Sequence, residues 1–457
     1  MLLLGWAAAA ACASRAQPVV ALYETGDYAG AARAADAALA AHPGDDALWQ
    51  MRIRVALAQG DGPGVAKAYA DYRSELAGDD DKPLLRELAI ATLGQALASP
   101  SVKLKVSAIE AVAAAELHEL ADRVAERMTD DDDRVVAAAA VAVLRGYPQA
   151  PQVAGDMLRS EEPEARRIAV DGIAQKVGAF AIADLEKAAA DPEVKVRRTA
   201  IRWLGQLKDA GAAELLAGAT RDPDDTVRAA AVSALARLGA TPRATELARQ
   251  AIHDRALAVR LAGIELLVAA RGPDLRTDLT ALAGDPDPLV ASEAAIASGG
   301  GEPAAKALDR AAAAVEWTTR AAAANLAVRA VGKPAALAVA RKLAGDPVLA
   351  VQLAAARVLA HTGDPAAATA IFAAALASPD ERVQAAIDLA SQGDPRGPAA
   401  LDAAVRDLAL GPAARATAAA AHRTAHRITP GLVAALADES GVVRVEAAAA
   451  ITAVVKR

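Results

Sequence analysis

Asp191-Pro192-Glu193-Val194-Lys195-Val196-Arg197-Arg198-Thr199-Ala200 returns thirty-one residues later as Asp222-Pro223-Asp224-Asp225-Thr226-Val227-Arg228-Ala229-Ala230-Ala231. Aligned on the Val of this phrase, anchors fall at Leu104, Val135, Ala165, Val196, Val227, Val259, Val290, Thr319, Val351, Val383, Ala416 and Val443. The intervals run 31, 30, 31, 31, 32, 31, 29, 32, 32, 33 and 27, and Ala165, Thr319 and Ala416 rest mainly on spacing. A fixed period of this size signals a solenoid, in which each unit buries its apolar face against its neighbours.

Each clear unit reads as two helices, with the second opening at the Asp. Asp suits an N-cap, where it accepts free backbone N–H groups, and Pro suits the first helical position. Down that helix Val196, Ala200, Trp203, Leu204 and Leu207 form one apolar stripe, repeated by Val227, Ala231, Leu235 and Leu238 and ended by Gly239. The fold class is therefore all-α: a right-handed α-solenoid, a superhelix of stacked helix pairs.

These residues resemble the HEAT-repeat family, in the short bacterial form named after the phycobilisome lyases, over about residues 83–457. In that family an Asp and the Arg six residues later form a hydrogen-bond ladder between neighbouring repeats. The resemblance implies a structural ladder at Asp191 and Arg197, Asp222 and Arg228, Asp254 and Arg260, and Asp438 and Arg444. Asp285 faces Ala291 and Asp346 faces Gln352, so the ladder is expected to be interrupted in the second half.

The front of the chain carries another period. Gly26-Asp27-Tyr28 is followed by Ala31, Ala35, Ala38 and Pro43, and Gly60-Asp61 arrives thirty-four residues after the first Gly-Asp. This pattern resembles a tetratricopeptide repeat pair, expected to stack on the first HEAT-like helices. Tyr23, Tyr28, Trp49, Tyr69 and Tyr72 concentrate here although the whole chain is only 2% aromatic. Most suit packing positions; Tyr69 and Tyr72 are the two read as contacts for a partner.

Met1 to Ala11 is apolar and ends at Cys12, the only cysteine. This resembles a bacterial lipoprotein signal, with Cys12 the site of lipid attachment, although no Lys or Arg precedes the run. A plain secretory signal cut near Ala13 and the helical start of a cytoplasmic protein are the rival readings. The organisation expected is thus a signal segment over 1–12, tetratricopeptide-like repeats over 13–78 and about twelve HEAT-like repeats over 79–457. After Cys12 no apolar run approaches the ~20 residues that cross a bilayer. Membrane contact is therefore expected only through a lipid anchor.

Composition narrows the function. The net charge is −7 with both signs interleaved, which does not suggest the basic stripe of a nucleic-acid reader. Much of the 54% hydrophobic content is alanine, which favours helix but buries little area. His422 and His426 stand four apart, a metal-pair spacing with no third ligand nearby in sequence. His118-Glu119 is one His-Glu pair, where the HEAT-like deoxyhypusine hydroxylases use several. The acidic runs 79–81 and 130–133 read as turns and helix caps, and Gly299-Gly300-Gly301 as a joint. No phosphate-cradling Gly loop, Gly-x-Ser-x-Gly elbow or paired-Cys motif occurs, so no catalytic, cofactor or metal residue is assigned and no cofactor is expected.

The reading is a non-catalytic scaffold or adaptor at the cell envelope, binding a protein or peptide on the concave face of the solenoid. Arg198, Arg202 and Arg237, with Tyr69 and Tyr72, are the residues expected to meet that partner. The alternatives are a HEAT-like metalloenzyme or cofactor-attachment protein, and a cytoplasmic location.

Overall fold

The computed structural model describes residues 15–76, 78–239, 243–272, 274–330 and 332–456, and every regular element among them is helical. The Met1–Ala11 run and Cys12 lie outside the described residues. The chain opens with α1 (Gln17–Glu24), α2 (Tyr28–Ala41), α3 (Asp46–Ala58), α4 (Gly62–Glu75) and α5 (Lys82–Leu97). The second helices of four successive repeats are α6 (Pro163–Val177), α7 (Val194–Leu207), α8 (Asp225–Leu238) and α9 (Leu257–Ala270). The chain closes with α10 (Pro412–Ala425), α11 (Pro430–Ala434) and α12 (Gly441–Val455). Among the described residues no helix is long and apolar enough to cross a membrane.

The expected caps are displaced. α7 starts at Val194 rather than at Asp191, and its N-cap is Glu193; α8 is capped by Asp224, whose carboxylate accepts from the N–H groups of Thr226 and Val227. The reason is that the Asp of the phrase is already engaged. Asp191 accepts the Glu193 N–H and Asp222 the Asp224 N–H, each closing a turn two residues long before the helix begins. The stripes fall as the period requires: Val196, Ala200, Ile201 and Leu204 of α7 and Val227, Ala231, Val232 and Leu235 of α8 are fully buried.

Residues 99–397 form one compact unit and residues 1–98 with 398–457 another. Within the first of these, a guanidinium from each repeat reaches the Asp of the next. Arg166 meets Asp191 at 2.7 and 2.8 Å, Arg197 meets Asp222 at 2.9 Å through both nitrogens, and Arg228 meets Asp254 at 2.8 and 2.9 Å. The remaining nitrogen turns back to its own repeat, as Arg197 Nη1 does to the carbonyl oxygens of Asp191 and Pro192. Each Arg therefore fastens its own turn and the next one, so a rung joins an Arg to the Asp 25 residues on rather than the one six residues before. Arg260, last in the run, meets Asp287 in place of Asp285, by one 3.2 Å bond, and leaves its Nε without a hydrogen-bond partner.

Beyond Ala291, which carries no rung, Arg320 clasps Asp346 at 2.6 and 3.0 Å, and Gln352 donates to the Asp346 carbonyl at 2.6 Å. Rungs also stand at Lys105–Asp130 and, in the other unit, at Arg415–Asp438. Arg415 shifts one alignment. It follows Ala414, not Ala416, so the true anchor is Ala414 and the last intervals become 31 and 29. Arg444 closes the series on the Asp438 and Glu439 carbonyls.

The other unit joins both ends of the chain. Gly26 and Gly60 turn with φ of +82° and +68°, a region glycine enters without strain, and Asp27 and Asp61 cap α2 and α4 on the N–H groups of Gly30 and Gly64. α3 is tied to α5 by Arg54–Glu87 at 2.7 and 3.0 Å and by Gln50–Asp81 at 2.8 Å. α4 also packs on α11, and α12 lies against both α10 and α5. Leu84, Leu85, Leu88 and Leu93 of α5 and Val443, Val445 and Ile451 of α12 are buried in this unit. At ~1.5–3 kcal/mol per buried large side chain, the joint between the two chain ends is substantial.

Candidate functional site

α6, α7 and α8 lie side by side because small residues face their neighbours. A Cβ on Gly205 of α7 would stand 2.6 Å from the Cα of Ala234 on α8, so the two backbones approach as closely as glycine allows. With both apolar stripes turned inward, Lys195, Arg198 and Arg202 recur at helical spacing along the opposite face of α7. They are exposed there.

Between the three helices is a depression of about 440 Å³, lined by Glu164 and Arg167 from α6, Lys195, Arg198, Thr199 and Arg202 from α7, and Ala230, Ser233, Ala234 and Arg237 from α8. Five cations thus meet one carboxylate on its walls. Two of the cations are held. Arg167 is bidentate to Glu164 at 2.7 and 2.9 Å, and this bond draws the Glu164 carboxyl below its ordinary range and raises Arg167. Arg202 bonds Asp171 at 2.6 Å, lies 6.0 Å from the Trp203 ring centre, and shares Asp171 with the Trp203 Nε1–H at 2.7 Å. Among the described residues Lys195, Arg198 and Arg237 have no salt-bridge partner, and all three are exposed. Thr199 donates to the Lys195 carbonyl and Ser233 to Glu265, so the hydroxyls of the floor are already used.

Sequence reasoning named Arg198, Arg202 and Arg237, and the fold brings these three onto one depression. It missed Arg167 and Lys195. Arg167 was open to discovery, since it occupies the position of Arg198 one repeat earlier, thirty-one residues before.

Tyr69 and Tyr72 require correction, for they are 0% and 2% exposed and present no surface to a partner. The Tyr69 hydroxyl donates to Asp80 at 2.5 Å and that of Tyr72 to Asp81 at 3.0 Å, while Tyr72 stacks on Trp49 at 6.4 Å. Burial first, then these carboxylate bonds, push both phenols far above the ordinary tyrosine value, Tyr72 to about 12. The acidic runs likewise serve the fold: Asp81 caps α5 on the Leu84 N–H and Asp130 holds Lys105.

The histidines separate. His422 is fully buried, its Nδ1 against the Ala418 carbonyl at 2.9 Å and its Nε2 3.2 Å from the Thr429 hydroxyl; burial lowers its pKa. His426 caps the same helix in the left-handed region, φ +48°, and faces solvent. Among the described residues no three His, Cys, Asp or Glu are grouped to hold a metal ion.

Residues 151–300 match the family model for HEAT repeats, in windows 151–236, 182–267 and 212–300. No curated protein matches the sequence. Among solved structures, the complex of CpcE and CpcF of phycocyanin lyase from Nostoc sp. PCC7120 is 22% identical, covering 50% of this chain and 94% of that one, with a TM-score of 0.35. Kap121p is 14% identical over 87% of this chain and 48% of its own, with a TM-score of 0.38. Human deoxyhypusine hydroxylase in complex with glycerol is 19% identical, covering 61% of this chain and 96% of that one, with a TM-score of 0.25. At these identities the likeness is one of helical-repeat fold and carries no activity across.

Proposed function

We propose that this chain is a non-catalytic interaction scaffold that holds a protein or peptide partner against the second-helix face of its HEAT repeats. The observation that supports it is the depression across α6, α7 and α8. Three cations with no salt bridge among the described residues stand there on helices fixed by rungs and close packing. The groups on its walls are suited to holding an anion and include no nucleophile–base pair.

The test is site-specific photo-crosslinking in cells, with the photoreactive residue at Ala230 in the depression or at Phe180, which is 92% exposed on a turn. One dominant partner captured from Ala230 and not from Phe180 is expected. No specific species, or the same species from both positions, would sink the reading. The full chain is used because the front of the chain is packed on its end, α4 on α11 and α5 on α12.

The reading includes a cell-envelope address with a lipid on Cys12, supported by the sequence of residues 1–12 alone. Metabolic labelling with an alkyne fatty acid should mark the protein and fail to mark Cys12→Ser.

A further inference from the structure

We propose that the depression between α6, α7 and α8 seats an extended acidic peptide segment, with carboxylates at every third residue meeting guanidiniums of successive repeats. This rests on the scaffold reading and specifies the chemistry of its partner.

Charge comes first. Among the described residues Lys195, Arg198 and Arg237 make no salt bridge, Lys195 lying only in the field of Glu164, whereas Arg167 and Arg202 are anchored by Glu164 and Asp171. Guanidinium binds carboxylate through two parallel bonds, and fixed side chains lose little entropy on doing so.

Spacing comes second. Arg167 and Arg198 hold the same place in consecutive repeats, and packed helices lie ~8–10 Å apart. A chain in the polyproline II conformation advances about 3.1 Å per residue with three residues per turn, so three residues span one repeat and bring the side chain back to the same face. A Glu-x-x-Glu segment thus keeps step with the helices, while a block of adjacent glutamates places its charges too close together and on different sides of the chain.

The walls disfavour nucleic acid. Glu164 on the walls, and Asp171 and Glu265 bonded to the lining residues Arg202 and Ser233, interrupt the positive surface, no aromatic ring lines the depression for base stacking, and its hydroxyls are engaged within the protein. A continuous phosphate backbone would meet these carboxylates, whereas a peptide can set its neutral residues against them.

The experiment is fluorescence anisotropy on the full chain with labelled peptides of Glu, Thr and Ser, residues chosen to keep the probe from forming a helix. One peptide has Glu at every third position, one has the same glutamates in a block, and one replaces them by Gln. The regularly spaced peptide should bind most tightly, weaken with added salt, and lose about tenfold or more in affinity to Arg198→Glu/Arg237→Glu, since like charges now face one another. Arg221→Glu, an exposed change outside the depression, should leave binding unaltered. Equal binding of the Gln peptide, no loss in the double variant, or tighter binding of an oligothymidylate of the same charge would each overturn the proposal. A partner still captured from Ala230 by the double variant would leave the scaffold reading standing and remove this one.

Discussion

Two stretches of the same unit solve one problem differently. From Arg166 to Arg228, three consecutive guanidiniums clasp the next repeat in bidentate fashion, over a core that includes Leu185, Ile201, Leu204, Leu216 and Leu235. From Ala291 to Gln352 only Arg320 makes a rung; Ala291 has none, Gln352 keeps just the bond back to its own Asp346 carbonyl, and alanine supplies most of the buried positions. There the second helices are also braced across their faces, as α6 and α7 are by Asp171 and Arg202. Arg329 pairs with Glu293 at 2.7 Å and Arg357 with Asp388 at 2.8 Å. The lesson is that the helical stack tolerates loss of turn rungs where bonds between second helices remain. The match to the HEAT family model ends at residue 300, just past the missing rung.

Acid should separate the two stretches most widely. The Arg228 guanidinium, aided by the Ala256 N–H, holds the Asp254 carboxyl below its usual range. For Asp191 burial pushes upward, but Arg166 and the Glu193 N–H outweigh it. A carboxyl whose folded pKa lies below its unfolded value, about 3.9, contributes stability that is fully present above that value and is lost as pH falls through the folded one. Hydrogen exchange, corrected for intrinsic rate, should therefore show residues 191–270 opening below about pH 4 more than residues 301–311. Equal loss in both would remove the ladder from the explanation.

Removing a rung tests the same comparison by mutation. Arg415 is 2% exposed and bonds Asp438 and the Leu410 carbonyl, so Arg415→Ala strands a buried carboxylate and should cost roughly 3–5 kcal/mol in urea unfolding. Next comes helix approach: Gly205→Ala forces its methyl on Ala234 and should cost about 1–3 kcal/mol. Gln352→Ala removes only the half-rung and should cost about 1 kcal/mol, visible as a small shift of the urea midpoint with unchanged slope. A loss at Gln352 as large as at Arg415 would mean that a single bond back to the turn supports the stack as much as a complete rung does.

Much of this was legible in residues, and the exceptions have physical causes. The anchor Val positions and their stripes were open to reading because burial against two neighbours demands them at helical spacing. The pairing of rungs was not, since an Arg and its Asp lie in different repeats and only stacking brings them together. Arg166, Arg320 and Arg415 sit in repeats without the full Asp-Pro phrase, yet each makes a rung, because the Arg needs only an Asp about 25 residues on. Arg198, Arg202 and Arg237 were visible as charges opposite an apolar stripe. Tyr69 and Tyr72 misled because aromatic clustering is the same whether rings pack inward or outward. The carboxylates they bond, Asp80 and Asp81, read in sequence as a turn and helix cap, and Asp81 serves the α5 cap as well.

The packing of α12 against α5 also sets a timetable. During synthesis α5 emerges some 340 residues before the helix that covers it, which at ~5–20 residues per second is some tens of seconds. Through that interval the leucine face of α5 has no partner from α12, while the middle repeats stack as they appear. The front of the chain is thus made first and finished last, and it is the segment for which a nascent-chain chaperone has the most to do.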